Sequence, residues 1–157
     1  MKPTVYLTLG LPGSGKTTFS KELQQELKIP RLSLDEVYSK LGGDLTSTTW
    51  DTNIEFEANE TIKHQIKEIV ERGESVILDF CPWRKKDRQK YQEYIASAGA
   101  NSHVYYLDIP IEQLKQRLES RNKNLSKNTH IVTADMLDAF TARFDPPYGE
   151  DFELVVT

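Results

Sequence analysis

The sequence has one cysteine in 157 residues and no apolar run longer than five residues. The single thiol, Cys81, excludes an internal disulfide and is typical of a reducing compartment. The short apolar runs exclude a transmembrane helix, and no segment typical of a secretory signal precedes the first predicted strand. These absences predict a cytoplasmic protein without a membrane partner. The net charge of −4 gives no general attraction for nucleic acid, so any site for a polyanion must be a local patch.

The sequence does contain a regular alternation of strand and helix patterns. We expect strands at Thr4–Leu9, Arg31–Leu34, Ser75–Asp79, His103–Leu107 and Phe152–Thr157. The clearest helical pattern between them places Ile54, Ala58, Ile62, Ile66, Ile69 and Val70 on one face. This alternation predicts an α/β fold with a parallel sheet and helices on both faces. The length predicts that residues 1–157 form a single domain.

One glycine-rich segment, Gly10–Thr17, fits the phosphate-binding loop pattern G-x-x-x-x-G-K-[ST] at every fixed position. It follows a predicted strand and precedes a helical pattern, which is the context that this loop requires. In such a loop the backbone N–H groups surround phosphate oxygens, Lys16 reaches the outer phosphates and the Thr17 hydroxyl ligates Mg²⁺. The sequence therefore predicts a nucleoside triphosphate site formed by Gly10, Pro12, Gly13, Ser14, Gly15, Lys16, Thr17 and Thr18.

Two aspartates follow predicted strands, at the edge where parallel sheets bind their ligands. Asp35 would face the same crevice as the glycine-rich loop, where a carboxylate could accept the proton of an acceptor hydroxyl. The alternative is that Ser33 or Asp35 only caps a helix predicted over Glu36–Leu41. Asp79 ends the apolar run Val76–Leu78, and a carboxylate there suits Mg²⁺ binding or the positioning of water.

Two arginines, Arg117 and Arg121, lie four residues apart and therefore on one face of a predicted helix. Their guanidinium groups match the geometry of phosphate oxygens, and the polar segment Asn122–Thr129 after them predicts a mobile surface loop. Together they predict a lid over about residues 115–132, with Arg117 at the phosphates and Arg121 at the adenine side. A solvated surface helix is the alternative.

Five basic residues stand within seven positions: Arg84, Lys85, Lys86, Arg88 and Lys90. Cations at a predicted helix N-terminus oppose the macrodipole, so this basic cluster indicates either an anionic partner or a plain solvated face. Cys81 and Trp83 stand beside the cluster and line either an acceptor pocket or the core. We expect the acceptor to bind between the loops Gly42–Trp50 and Phe80–Lys86.

These motifs resemble those of P-loop kinases of the group that includes zeta toxins, chloramphenicol phosphotransferase and the kinase domain of phage polynucleotide kinase. The similarity is greatest to the small uncharacterised single-domain ATP-binding proteins of that group, and it extends over nearly the whole chain. Its specific part is Gly10–Thr18; the less specific parts are Leu32–Asp35, Leu78–Arg84, Tyr106–Pro110 and Phe144–Pro147. The resemblance implies a P-loop NTPase fold of three α/β/α layers with a five-stranded parallel sheet.

The resemblance also implies roles for single residues. Asp35 would stand in the place of the general base, the lid arginines would close over ATP, and Pro146 would border the adenine. One position departs from the polynucleotide kinases, which have an arginine three residues after the general base that grips the acceptor's 3′ phosphate. This chain has Tyr38 there, which disfavours a nucleic-acid end as the acceptor.

On these grounds we expect an ATP- and Mg²⁺-dependent kinase that phosphorylates a hydroxyl of a small-molecule or nucleotide-like acceptor. The expected catalytic residues are Lys16, Asp35, Arg117 and Arg121, and the expected metal ligands are Thr17 and Asp79. Two alternatives stay open: a polynucleotide 5′-hydroxyl kinase, which the basic cluster favours, and a regulatory ATPase without an acceptor. A GTPase is disfavoured because Asn122-Lys123-Asn124 is followed by Leu125 instead of a guanine-reading aspartate.

Overall fold

The computed structural model describes residues 1–124 and 130–156. In these residues the strands are β1 (Thr4–Leu9), β2 (Arg31–Leu32), β3 (Val76–Leu78), β4 (Asn101–Leu107) and β5 (Glu153–Val155). All pairings between them are parallel, and the strand order is β2-β3-β1-β4-β5. The predicted α/β fold, a five-stranded parallel sheet flanked by helices, is confirmed.

The helices in the same residues are α1 (Lys16–Leu27), α2 (Leu34–Lys40), α3 (Thr52–Glu71), α4 (Lys85–Ser97), α5 (Ile111–Lys123) and α6 (Ala134–Arg143). The predicted apolar face of α3 is confirmed, because Ala58, Ile62 and Ile66 on it are at most 1% exposed. The helix α6 begins behind Thr133, whose hydroxyl accepts the N–H of Met136. None of the helices in the described residues is long and apolar enough to cross a membrane.

The core lies on both faces of the central strand. The residues of β1 that are at most 1% exposed are Val5, Leu7, Thr8 and Leu9. Burial on both faces is typical of a parallel sheet covered by helices, and the buried Thr8 hydroxyl is satisfied by donating to the carbonyl of Leu78 at 3.1 Å. Because β1 is central, the loop that leaves it enters the crevice where ligands bind in such sheets.

The region around Asp35 differs from the predicted one for a local reason. Ser33 caps α2, and its hydroxyl accepts the N–H of Glu36 at 3.3 Å. The strand predicted over Arg31–Leu34 therefore ends at Leu32, and the following helix begins before Glu36 and includes Asp35 in its first turn.

Other boundaries also differ. The helix α5 continues through Lys123, so Asn122 and Lys123 are helical where the sequence predicted the start of a loop. The Asn122 side-chain amide donates to the carbonyl of Val132 at 2.7 Å, which ties the helix to the segment that leads into α6. The rest of the predicted Asn122–Thr129 loop, residues 125–129, lies outside the described residues. At the sheet, β3 and β5 are shorter than predicted and β4 begins earlier, at Asn101.

Candidate active site

A cavity of about 1080 Å³ opens beyond the carboxyl ends of β1, β2 and β3. The predicted site residues that line it are Pro12, Gly13, Gly15, Lys16, Thr17, Thr18, Asp35, Asp79, Arg117 and Arg121. Two more, Gly10 and Ser14, are buried residues of the loop itself. Pro146 is exposed and is not among the lining residues, so the structure does not bring it to this cavity. The other predicted residues form one continuous site.

The glycine-rich loop has the geometry of a phosphate cradle. Gly13 and Gly15 have φ angles of 87° and 95°, in the left-handed region that side chains disfavour. A Cβ on Gly10 would lie only 2.5 Å from Oγ of Ser14. Gly15 precedes α1 without a side-chain cap, so the first N–H groups of the helix have no partner within it. In the described residues the buried Ser14 Oγ also has no partner. These donors fit a phosphate group.

Lys16 holds a charge at the centre of this cradle. Its Nζ donates to the backbone carbonyl oxygens of Gly10 at 2.7 Å and Leu11 at 3.2 Å. Burial lowers the pKa of this amine, and the carboxylates of Asp79 and Asp35 oppose the shift. An anionic ligand would compensate the burial of the ammonium group, so Lys16 is suited to phosphate binding.

The predicted metal ligands are in contact with each other. The Thr17 hydroxyl donates to Oδ2 of Asp79 at 2.7 Å. No group of three His, Cys, Asp or Glu side chains suited to a metal occurs in residues 1–124 and 130–156. Mg²⁺ usually takes only one or two protein oxygens and completes its shell with water and substrate phosphates. The Thr17 and Asp79 oxygens therefore fit Mg²⁺ bound together with a nucleotide.

Sequence reasoning missed Arg31, which is nearly buried beside this pair. Its NH2 donates to Oδ2 of Asp79 at 2.8 Å, its NH1 to Glu36 at 3.3 Å and its Nε to Ser20 at 2.9 Å. The guanidinium group thus fixes the orientation of the Asp79 carboxylate. The only signal for Arg31 in the sequence was a basic residue at the start of a short strand near the site. Its partners could not be predicted, because they come from three other segments of the chain.

Asp35 lines the cavity and does not cap its helix, because Ser33 does so. Burial is the main cause that raises the pKa of Asp35 to about 6, and the negative charge of Asp79 adds to the shift. Lys16 and Arg121 act in the opposite direction. A carboxyl group that titrates near neutral pH is suited to accept a proton during a reaction.

The two lid arginines also line the cavity, but they make different contacts. The NH1 group of Arg117 donates to the backbone oxygens of Gly13 at 3.3 Å and Ser14 at 3.4 Å, so it lies over the loop. The NH2 group of Arg121 donates to the carbonyl of His130 at 2.9 Å. Burial lowers the pKa of Arg121 and the charge of Asp35 opposes this, so Arg121 lies on the Asp35 side.

The predicted acceptor loops contribute only part of their length. Thr48, Thr49 and Trp50 line the cavity from the first loop, and Phe80, Cys81, Pro82 and Trp83 line it from the second. Cys81 is a buried thiol whose pKa burial raises to about 12, so it is not a nucleophile at neutral pH. Because Phe80, Cys81, Pro82 and Trp83 are all apolar or uncharged, the part of the acceptor side that follows β3 is mainly apolar.

The structural roles of Tyr38 and Trp50, near the acceptor side of the cavity, were not predicted from the sequence. Tyr38 is 1% exposed, its oxygen accepts the N–H of Asp51 at 2.8 Å, and its ring stacks on Trp50 at 3.9 Å. The indole N–H of Trp50 donates to Nε2 of His130 at 2.9 Å, and burial lowers the pKa of His130 to about 4. Tyr38 is thus a core residue, and a neutral His130 joins the Trp50 loop to the segment before α6.

The basic cluster Arg84–Lys90 is not a single charged surface, which corrects the sequence interpretation. Arg88 is 1% exposed and forms an ion pair with Glu150 at 2.7 Å. Its NH1 donates to the carbonyls of Pro82 at 3.2 Å and Trp83 at 2.7 Å. Arg88 stabilises the loop after β3 and is not available to an external anion.

Comparison with known proteins identifies a family and a relative for this chain. A family model described as an AAA domain matches residues 5–147. The adenylyl-sulfate kinase of Halothermothrix orenii is 28% identical over 156 residues, which cover 96% of this chain and 78% of that protein.

Solved structures show the same fold. A protein from Chloroflexus aurantiacus J-10-fl superposes with a TM-score of 0.77 at 23% identity, over 99% of this chain and 88% of that chain. Kti12 of Chaetomium thermophilum, solved in complex with ADP-AlF3, gives 0.75 at 19% identity over 98% and 89%. A gluconokinase from Sinorhizobium meliloti 1021 gives 0.66 at 15% identity over 98% and 81%.

Proposed function

Since the chain belongs to the P-loop kinase family whose model is described as an AAA domain, we propose that it is an ATP-dependent kinase that phosphorylates a hydroxyl of a small-molecule acceptor. Membership of this family implies nucleotide binding. The similarity to an adenylyl-sulfate kinase supports transfer of phosphate rather than hydrolysis alone. The acceptor and the use of Mg²⁺ are part of the proposal.

The observation that supports transfer best is the presence of two carboxyl groups with separate surroundings in one cavity, a nearly buried Asp79 and a half-buried Asp35. Asp79 is held by Thr17 and Arg31, which suits it to the metal. Asp35 makes no such contact with Thr17 or Arg31, and its pKa is raised to about 6. A second carboxyl group poised near neutral pH is what a kinase needs for its acceptor.

Each of these residues has a separate role in the proposed reaction. The loop N–H groups and Lys16 bind the phosphates of ATP, and Thr17 and Asp79 would hold Mg²⁺, which supplies positive charge at the transferred phosphoryl group. Asp35 accepts the proton of the acceptor hydroxyl as that oxygen bonds to the γ-phosphorus and the bond to ADP breaks. Arg121, on the Asp35 side of the cavity, stabilises the negative charge of the transferred phosphoryl group.

Transfer of label from γ-labelled ATP, with Mg²⁺, to a panel of acceptors tests this function. The panel contains sugars, sugar acids, nucleosides and an oligonucleotide with a 5′ hydroxyl. We expect slow hydrolysis without an acceptor, transfer to a small molecule, and loss of both in Lys16→Ala. Lys40→Ala, in the last turn of α2 and outside the cavity, is the matched control and should keep wild-type activity.

Other outcomes identify the alternatives. Transfer only to the oligonucleotide would show a polynucleotide kinase, although Tyr38 and Arg88 are both buried and do not support an end-binding surface. A rate of ADP formation that stays the same with every acceptor in the panel would indicate a regulatory ATPase. Full activity of Lys16→Ala would contradict the nucleotide site itself.

A further inference from the structure

The acceptor side of the cavity has a chemistry different from that of the nucleotide side. Its apolar lining residues include Phe80, Pro82, Trp83, Val132, Met136 and Phe140. Three of these, Phe80, Trp83 and Phe140, form what we name the aromatic wall. We propose that the aromatic wall binds a planar aromatic ring of the acceptor, so that the substrate is a hydroxyl compound carrying such a ring. This proposal rests on the proposed kinase function and adds the class of its acceptor.

The rings of the aromatic wall are placed for contact with a ligand ring. Trp83 and Phe140 have centroids 4.7 Å apart and planes inclined by 51°, and both are only half-buried. Phe80 is supported from the core by an edge contact with Tyr91 at 5.4 Å. Offset and edge contacts between aromatic rings contribute about 0.5–1.5 kcal/mol beyond simple burial. A flat ligand ring would therefore gain more here than a saturated one.

The loop that carries Trp83 is fixed from below. The backbone carbonyl oxygen of Trp83 accepts hydrogen bonds from NH1 of Arg88 at 2.7 Å and from the N–H of Asp145 at 2.9 Å. The side chain of Asp145 in turn accepts the N–H of Lys85 at 2.9 Å. Arg88 is held by the buried ion pair with Glu150. A loop that is already ordered loses little conformational entropy on binding, so the aromatic wall is preorganised for a ligand.

The same surface disfavours ring-free acceptors with many hydroxyl groups. The aromatic wall offers no side-chain donor or acceptor except the indole N–H of Trp83, so hydroxyl groups pressed against it would lose their bonds to water. A ring-bearing acceptor avoids this loss, because its polar groups can face Asp35, Thr48 and Thr49 in the same cavity. The guanidinium of Arg143 also lines the cavity and lies 5.5 Å from the Phe140 ring centre, so a cation stands beside the aromatic wall.

The indole N–H resonances provide a direct test, because the chain has only two tryptophans. The protein is saturated with ADP and Mg²⁺, which occupies the nucleotide side, and is titrated with adenosine, 2-phenylethanol or gluconate. Trp50→Phe and Trp83→Phe assign the two resonances. We expect at least one of the two ring compounds to shift the Trp83 resonance and to bind at least tenfold more tightly than gluconate.

Variants test whether the aromatic wall is responsible. Because two of these variants lack the Trp83 resonance, their binding is measured by titration calorimetry. Trp83→Leu and Phe140→Leu should each weaken binding of the ring compound at least tenfold, whereas Trp83→Phe should keep most of it. Phe56→Leu, at an exposed position outside the cavity, is the control and should bind as the wild type. Using both leucine variants keeps the test valid where one of them fails to fold.

Tighter binding of gluconate, an unchanged Trp83 resonance with both ring compounds, or wild-type binding by both leucine variants would overturn the proposal. Preference for adenosine over 2-phenylethanol would identify a nucleoside, and the reverse a simple aromatic alcohol. Because binding is measured without turnover, a chain that binds the ring compounds but transfers no phosphate would overturn the kinase function alone.

Discussion

The hydroxyl of Thr17 donates to Oδ2 of Asp79 over 2.7 Å and so joins the start of α1 to the end of β3. This contact brings together two oxygen ligands of the kind that Mg²⁺ prefers. Arg31 contacts the same carboxylate oxygen from the other side at 2.8 Å. We infer that Asp79 serves the metal and leaves Asp35 for the proton of the acceptor.

The first prediction concerns Asp79. In Asp79→Asn the Mg²⁺ concentration for half-maximal ADP formation should rise at least about tenfold, because a neutral amide is a weaker ligand and loses its ion pair with Arg31. A Mg²⁺ titration of the rate measures this. Asp108→Asn changes an exposed carboxylate that follows β4 outside the cavity and should leave the titration unchanged. The same Mg²⁺ requirement in both variants would remove Asp79 from the metal site.

The second prediction separates catalysis from helix capping at α2. Asp35→Asn should lower phosphate transfer by about 10²–10⁴-fold while ATP binding stays near the wild-type value. Ser33→Ala removes the cap and should lower the free energy of unfolding by about 1 kcal/mol, with the transfer rate nearly unchanged. Rates and melting temperatures of both variants make the comparison. An Asp35→Asn variant that loses only stability would show that Asp35 has no part in the reaction.

The third prediction follows from the raised pKa of Asp35. As a base, Asp35 must be ionised, so kcat/KM should rise with pH through a pKa of about 6 and then level off. Stability changes in the opposite direction, because the unfolded chain ionises this group near its ordinary value of 3.8 and the folded protein does so only near 6. Between these values, rising pH favours unfolding. The melting temperature of Asp35→Asn minus that of the wild type should therefore be larger at pH 7 than at pH 4. The same difference at both pH values would contradict the raised pKa of Asp35.

The fourth prediction concerns Arg31. Arg31→Met should lower the free energy of unfolding by about 3 kcal/mol or more, because Asp79 and Glu36 would lose their shared cation and Asp79 is nearly buried. Arg72→Met is the control, since its ion pair with Glu74 is exposed and is worth at most about 1 kcal/mol. Urea unfolding of both variants gives the two values. Equal losses would show that Arg31 contributes no more than a surface charge.

The nucleotide side could be predicted because its residues are close together in sequence. Gly10–Thr17 contains the loop, the lysine and the hydroxyl within one motif, and the structure keeps them in one cavity. Asp35 and Asp79 could be placed from strand ends alone. The alternation of strand and helix patterns was likewise enough to predict the parallel sheet.

The residues that were missed or misread depend on contacts between distant segments. Arg31 reaches Asp79 across 48 positions, and Arg88 reaches Glu150 across 62. Neither partner is indicated by local spacing, so Arg88 was assigned to a charged surface when it is buried. Tyr38 could be read only as a departure from a family pattern, because its stacking on Trp50 depends on how the loop before α3 folds.

The last prediction assigns the two lid arginines. The sequence predicted Arg117 at the phosphates and Arg121 at the adenine side; the contacts keep Arg117 at the phosphate loop, and they favour the Asp35 side for Arg121. Arg121 is electrostatically coupled to Asp35, whereas Arg117 lies on the backbone of Gly13 and Ser14. We therefore expect Arg121→Ala to lower kcat strongly and Arg117→Ala mainly to raise KM for ATP.

Replacement by lysine distinguishes charge from geometry at these two positions. Arg121→Lys should be nearly as damaging as Arg121→Ala, because an ammonium group cannot reproduce the planar fork of a guanidinium group. Lys123→Ala, an exposed change in the last turn of the same helix, should leave kcat and KM unchanged. Steady-state kinetics over a range of ATP concentrations separates the two effects. A larger loss of kcat in Arg117→Ala than in Arg121→Ala would assign the transferred phosphoryl group to Arg117, and full transfer by both variants would place the catalytic cation elsewhere, because neither guanidinium would then contact the transferred phosphoryl group.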